Sequence, residues 1–209
     1  MQEALKAAMT DGDPRAAERV VRGAIAHGVP EAVLDAEVIA LAMRHIGDLW
    51  ERGRITVGDE HLATDIAFRV LGMQHDAYRQ ERTRSRHRIL LAAVEAERHV
   101  LGLQMTAYLL LHAGFDVRLL GADVPVDSLR SVVERHRPAV VGFTTTMPTG
   151  KLAEAITEAR AGAPSAGVMV GGPAAARGAA PAADWLITVP GVDRVLDAVQ
   201  TLLHRPSLN

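Results

Sequence analysis

The chain is 209 residues long, with 48% hydrophobic and 23% charged residues and a formal net charge of −2. That composition excludes a disordered or fibrous protein, and so small a charge leaves no global field to draw nucleic acid or an anionic membrane. The sequence has no cysteine, which excludes disulfides, thiolate metal sites, cysteine catalysis and thiol-linked chromophores. Nine histidines against 3% aromatic residues make imidazole the one plentiful side chain suited to a transition metal.

The N-terminal segment MQEALKAAMTDGDPRAAERV is amphipathic and carries acids, unlike a signal or transit peptide. No apolar run approaches the roughly 20 residues of a membrane span, so a cytoplasmic location is expected. From residue 1 to about 80 the apolar spacing is helical. A short helix over MQEALKAAM is followed by DPRAAERVVRGAIAHG, which ends on Gly28, and by PEAVLDAEVIALAMRHIGDLWERG, which opens at Pro30 and ends at Gly53. A fourth helix covers TVGDEHLATDIAFRVLGMQHDAYRQ. Four helices with short turns predict a small antiparallel bundle over 1–80.

RQERTRSRHR then places five arginines in ten residues without an apolar position. It reads as a solvated linker over 81–88, because a nucleic-acid patch would interleave aromatic residues to stack bases. From 89 to 209 short apolar runs alternate with helical segments. RILLAAV precedes a helix from about His99 to Ala113, DVRLLG precedes DSLRSVVERH, and AVVGFTTT precedes KLAEAITEARA. GVMVGG is followed by a small Ala-rich segment, and DWLITV by VDRVLDAVQTLLH. The alternation predicts an α/β fold with a doubly wound parallel five-stranded sheet, whose ligand site lies at the carboxyl ends of the strands.

The loops at those ends carry the chemistry. After the first run, Glu97 and His99 stand two apart, and Gly102 follows within the first helical turn. An acid so close can accept a hydrogen bond from the imidazole's second nitrogen, as metal-bound histidines require. A surface histidine at a helix start explains this one loop equally well. Thr144, Thr145 and Thr146 end the third run and Gly171 and Gly172 the fourth. The threonine hydroxyls suit a bound heterocycle or simply finish the strand, and the glycines leave room for a flat ligand. None of these loops is G-x-G-x-x-G, so a nicotinamide dehydrogenase is not expected.

Taken together, E-x-H-x-x-G, the threonine cluster and the Gly-Gly pair resemble the cobalamin (B12)-binding domains of methionine synthase, the mutases and their relatives. That family's motifs are D-x-H-x-x-G, S-x-L and G-G, and LGADVP, with Asp123, looks like its G-x-D-V-P turn. The departures are Glu97 for Asp, and Thr144 and Thr146 for Ser and Leu. The resemblance implies a flavodoxin-like, Rossmann-like domain that binds cobalamin base-off. His99 is then the lower axial ligand of cobalt, oriented by Glu97. Thr144 and Thr146 face the displaced dimethylbenzimidazole tail, which enters beside Gly171 and Gly172.

With a helical bundle in front as a cap on the upper face of the corrin, two layouts fit. The light-sensing B12 proteins of the CarH and LitR type contain W-x9-E-H, which Trp50, Glu60 and His61 match. In that family the tryptophan packs on the adenosyl group and the Glu-His pair lies over the same face. Singly, Trp50 also reads as a bundle-core residue, and Glu60 with His61 as a first-turn acid beside an exposed histidine. Where the family often has a histidine that takes cobalt after photolysis stands Glu51, leaving His45, His61 or water for that role. The photoreceptors' usual helix-turn-helix domain is absent from this sequence and it has no basic face, so direct DNA binding is not expected. The resemblance implies an adenosylcobalamin photoreceptor or signalling module. It would act through a homo-oligomer (dimer or tetramer) or an effector protein, without turnover of its own. Photocobilins share the layout and bind a bilin as well, which His27, His45 and His75 would contact. The rival expectation is a corrinoid methyl carrier of a methyltransferase system; a cobalamin chaperone or storage protein ranks third.

Overall fold

The computed structural model describes residues 1–78 and 87–205, without the side chains of Tyr78 and Ala179. The chain divides into two compact units, Met1–Gln80 and Glu81–Asn209. The arginine-rich linker expected over 81–88 lies outside the described residues as far as 86. Arg88, counted as its last position, belongs instead to the sheet, where its guanidinium pairs with Asp116 at 2.8 Å.

The first unit is helical. Helix α1 (Gln2–Thr10) and α2 (Pro14–Ala26) are joined by a tight turn in which Asp13 caps α2, accepting a hydrogen bond from Ala16 N–H at 2.9 Å. The third predicted helix runs from Glu31 to Glu51 as α3 (Glu31–Val33), a π-helical segment (Leu34–Ile39) and α4 (Ala40–Glu51). The π segment was not expected, and it carries the buried Asp35. Gln74 of α5 (Val57–Tyr78), also buried, donates to that carboxylate at 2.6 Å. Helix α4 stops at Gly53, whose φ of +65° lets Gly53 N–H reach Trp50 O at 2.8 Å and Arg54 N–H reach Leu49 O at 2.8 Å. This glycine-dependent C-cap was the stop expected from sequence. Leu5, Met9, Leu34, Ile39, Ile46, Ile66 and Leu71 fill the bundle interior.

The second unit is a five-stranded, wholly parallel sheet in the order β2-β1-β3-β4-β5, the flavodoxin-like winding. The strands are β1 (Arg88–Val94), β2 (Asp116–Val124), β3 (Val140–Thr144), β4 (Gly167–Gly171) and β5 (Leu186–Val189). Between them run α6 (Leu101–His112), α7 (Val126–His136), α8 (Lys151–Gly162) and a short π turn (Ala175–Ala179). A 3₁₀ turn (Val192–Arg194) leads into α9 (Val195–Leu203). Helices α6 and α9 pack together, as do α7 and α8. In β1 every residue but Arg88 is buried, which explains its unbroken apolar run: a sheet covered on both faces has no polar side to alternate with. The order reverses between β1 and β3, so the loops after these two strands define the crevice of the fold.

Candidate functional site

The loop after β1 turns at once. Glu97 N–H bonds Val94 O at 2.8 Å, and Ala96 takes a left-handed φ of +69°, a conformation that a non-glycine residue adopts only when held there. The hold comes from the end of β2. Ala96 N–H donates to Asp123 Oδ1 at 2.7 Å, and Asp123 N–H, itself at φ +51°, donates to Glu97 O at 2.9 Å. Asp123, expected as a cofactor residue, thus clamps the loop that presents Glu97.

Glu97 is only 6% exposed, and each carboxylate oxygen has a defined task. Oε1 accepts from His99 N–H at 2.8 Å and bonds the imidazole Nδ1 at 2.7 Å, while Oε2 accepts from Thr146 N–H. Burial pushes the carboxyl up, but the hydrogen bonds from His99 and Thr146 outweigh it and hold it below the ordinary carboxylate range. It therefore stays an anion at neutral pH, the form that fixes the Nδ1–H tautomer. The His99 side chain is 75% exposed and lies ahead of α6, which begins at Leu101 rather than at His99 as expected. Its Nε2 is the basic atom left for a ligand. At Gly102, the second residue of α6, an added Cβ would meet nothing within 4 Å.

The neighbouring loops complete the edge. Strand β3 ends at Thr144, shorter than the run to Thr146 expected from sequence, because Thr146 N–H turns to Glu97. Thr145 is buried and spends its hydroxyl on Met147 O at 2.8 Å, so it is unavailable to a heterocycle. Gly172, at φ +96°, abuts this loop: a Cβ there would stand 2.4 Å from Thr145 O and 3.1 Å from Thr144 Oγ1. At Gly171 a Cβ would find its nearest atom, Val189 O, at 3.9 Å, so that glycine leaves room beside the strand end. Sequence reasoning passed over Arg177, whose Nη2 donates to Thr146 O at 3.1 Å. Its only signal was a lone cation in the Ala-rich stretch after Gly-Gly.

In the helical unit, Trp50 is 48% exposed near the end of α4, so it is not the core residue that its helical spacing also allowed. Helix α5 opens with a reciprocal cap between Thr56 and Asp59. Just beyond it, Glu60 accepts from Thr64 Oγ1 at 2.9 Å and bonds His61 Nδ1 at 2.6 Å, leaving a second imidazole outward with its Nε2 available. Glu51 follows Trp50 as an exposed end-of-helix residue, and His45 is half-buried within α4.

Among the described residues no group of three or more His, Cys, Asp or Glu is placed to hold a metal ion. A profile described as "B12 binding domain" matches residues 87–198, and a second of the same description matches residues 1–73. The chain belongs to the B12-binding family. The HTH-type transcriptional repressor CarH of Myxococcus xanthus is 37% identical to this B12-binding chain over 110 residues, 52% of this chain and 36% of CarH. The chain thus spans about a third of that relative's length. The trimethylamine corrinoid protein of Methanosarcina barkeri is 27% identical over 147 residues, 69% of this chain and 67% of that protein. In fold, it is similar to the monomethylamine corrinoid protein of Methanosarcina barkeri, with a TM-score of 0.70 at 18% identity over 95% of each chain. The helical region followed by a parallel five-stranded sheet is thus the corrinoid-protein fold. No helix among the described residues is long and apolar enough to cross a membrane.

Proposed function

We propose that the chain takes up adenosylcobalamin base-off, with His99 Nε2 on cobalt, and serves as a light-responsive signalling module rather than an enzyme. The cofactor supplies a cobalt–carbon bond that visible light cleaves; the protein's part is to hold, orient and respond. Glu97 fixes the His99 tautomer and raises its basicity, and the Thr144–Thr146 loop with Gly171 and Gly172 takes the displaced tail. Trp50, with the Glu60–His61 pair, serves the adenosyl side.

The observation that carries the photoreceptor reading is Trp50 itself. An indole left 48% exposed in a chain with 3% aromatic residues is a flat apolar surface without a bundle-core role, and it keeps the W-x9-E-H spacing with a hydrogen-bonded Glu-His pair. Loss of the adenosyl group would remove the contact that such a surface makes and leave the bundle or the oligomer to rearrange. The resident cofactor would then report through a homo-oligomer or an effector protein; a bilin beside His27, His45 and His75 is a further proposal of the same layout.

A second reading, a corrinoid methyl carrier, is favoured by the alignment over 69% of this chain with a trimethylamine corrinoid protein. One experiment separates the two. Loaded with adenosylcobalamin in the dark, the protein is expected to change its absorption spectrum under green light faster than free cofactor does, and to change its assembly state. A spectrum no more light-sensitive than free cofactor, with no change in assembly, overturns the photoreceptor reading and leaves the methyl carrier.

A further inference from the structure

A cobalamin bound base-off brings a permanent negative charge, the phosphodiester of its nucleotide tail. Much of the ionised surface at the sheet's carboxyl edge is of the wrong sign to receive it: Glu95 follows β1, Asp123 lies at the end of β2, and Glu154 is in the first turn of α8. Lys151, at the start of α8, is already engaged by Glu154 at 3.0 Å and Glu95 at 3.6 Å.

Arg177 is different. It lies in the π turn five residues past Gly172, it is exposed, and among the described residues no carboxylate pairs with it. One nitrogen is tied to Thr146 O at 3.1 Å, while the N–H of the same Thr146 is held by Glu97. The cation is therefore anchored to the loop assigned to the tail, and a guanidinium with one N–H in use keeps four more for an anion. Its planar fork matches two phosphate oxygens at once, which an ammonium cannot do.

We infer that Arg177 receives the phosphodiester of the cofactor's nucleotide tail and so makes the site selective for complete corrinoids over those lacking the tail. The inference rests on the reading of this edge as the cobalamin site. The test compares the parent protein, Arg177→Gln and Arg177→Lys in titrations with cobalamin and with cobinamide, which has neither nucleotide nor phosphodiester. Glutamine removes the charge and keeps a neutral N–H donor at a shorter reach, and circular dichroism verifies that the fold is retained. The glutamine variant is expected to bind cobalamin about ten- to a hundredfold more weakly, the scale of one hydrogen bond to a charged group, and to bind cobinamide as the parent does. Lysine should recover part of the loss, and added salt should weaken cobalamin binding more in the parent than in Arg177→Gln. Equal losses for both corrinoids would overturn the inference by showing that Arg177 acts only through Thr146, and an unchanged cobalamin affinity would overturn it outright. A parent protein that binds neither corrinoid would overturn the site assignment along with it.

Discussion

Glu97 carries more of the site than its position two residues from the candidate ligand suggests. One oxygen orients His99 through both its backbone and its ring, and the other gathers in Thr146. A glutamine at 97 has the same shape but only one acceptor oxygen; its NH2 group must face a donor, either the imidazole or the Thr146 amide. Glu97→Gln is therefore expected to weaken His-on cobalamin binding about 10- to 100-fold, the usual cost of losing the partner that orients a metal-bound histidine. His99→Ala should abolish the His-on absorption spectrum altogether. Titration followed by absorption checks both, and a His-on spectrum surviving in His99→Ala would remove His99 as the ligand.

At the scale of elements, the start of α5 depends on a two-residue cap. Asp59 accepts from the backbone and hydroxyl of Thr56, at 2.8 and 2.7 Å, and these bonds hold its carboxyl below the ordinary 3.8. A carboxyl lowered in the folded state contributes stability above its unfolded value and loses it as the pH falls through the folded one. The stability gap between the parent and Asp59→Asn should thus be constant from neutral pH down to about 5 and narrow as the pH falls through 3.8 and below; a gap unchanged at pH 3 would show that the charge plays no part. The sequence made such boundaries legible wherever a single residue type enforces them. Gly53 ended α4 because only glycine takes its φ cheaply, and RILLAAV marked β1 at its true ends because both faces of the strand are covered. What it hid depends on partners distant in the chain. The start of α6 moves past His99 because Glu97 holds that residue in the loop, and β3 stops early because Thr146 answers Glu97, 49 residues away. The π segment around Asp35 was equally invisible, since the hydrogen bond it makes is to Gln74, 39 residues on. Glu97, His99 and the Gly-Gly pair could be found as motif residues. The clamp by Asp123 and the tether from Arg177 could not, because they run between loops that share no sequence spacing.

For the whole molecule, each of the two units has its own interior, one centred on Leu5, Leu34, Ile46 and Ile66 and the other on the two covered faces of the sheet. A unit with its own core unfolds as its own cooperative step, so calorimetry of the protein without cofactor is expected to resolve two transitions. A ligand raises only the transition of a unit whose folded form it binds, by about 2.7 kcal/mol when its concentration is 100 times Kd. Cobalamin held through His99 must raise the transition of the α/β unit. If Trp50, Glu60 and His61 serve the adenosyl side as proposed, adenosylcobalamin raises the helical transition as well, and illumination returns that second transition toward its cofactor-free temperature while His99 still holds the first. A helical transition indifferent to the adenosyl group would remove the bundle from the light response, because a ligand without differential affinity for a unit's states cannot shift their balance.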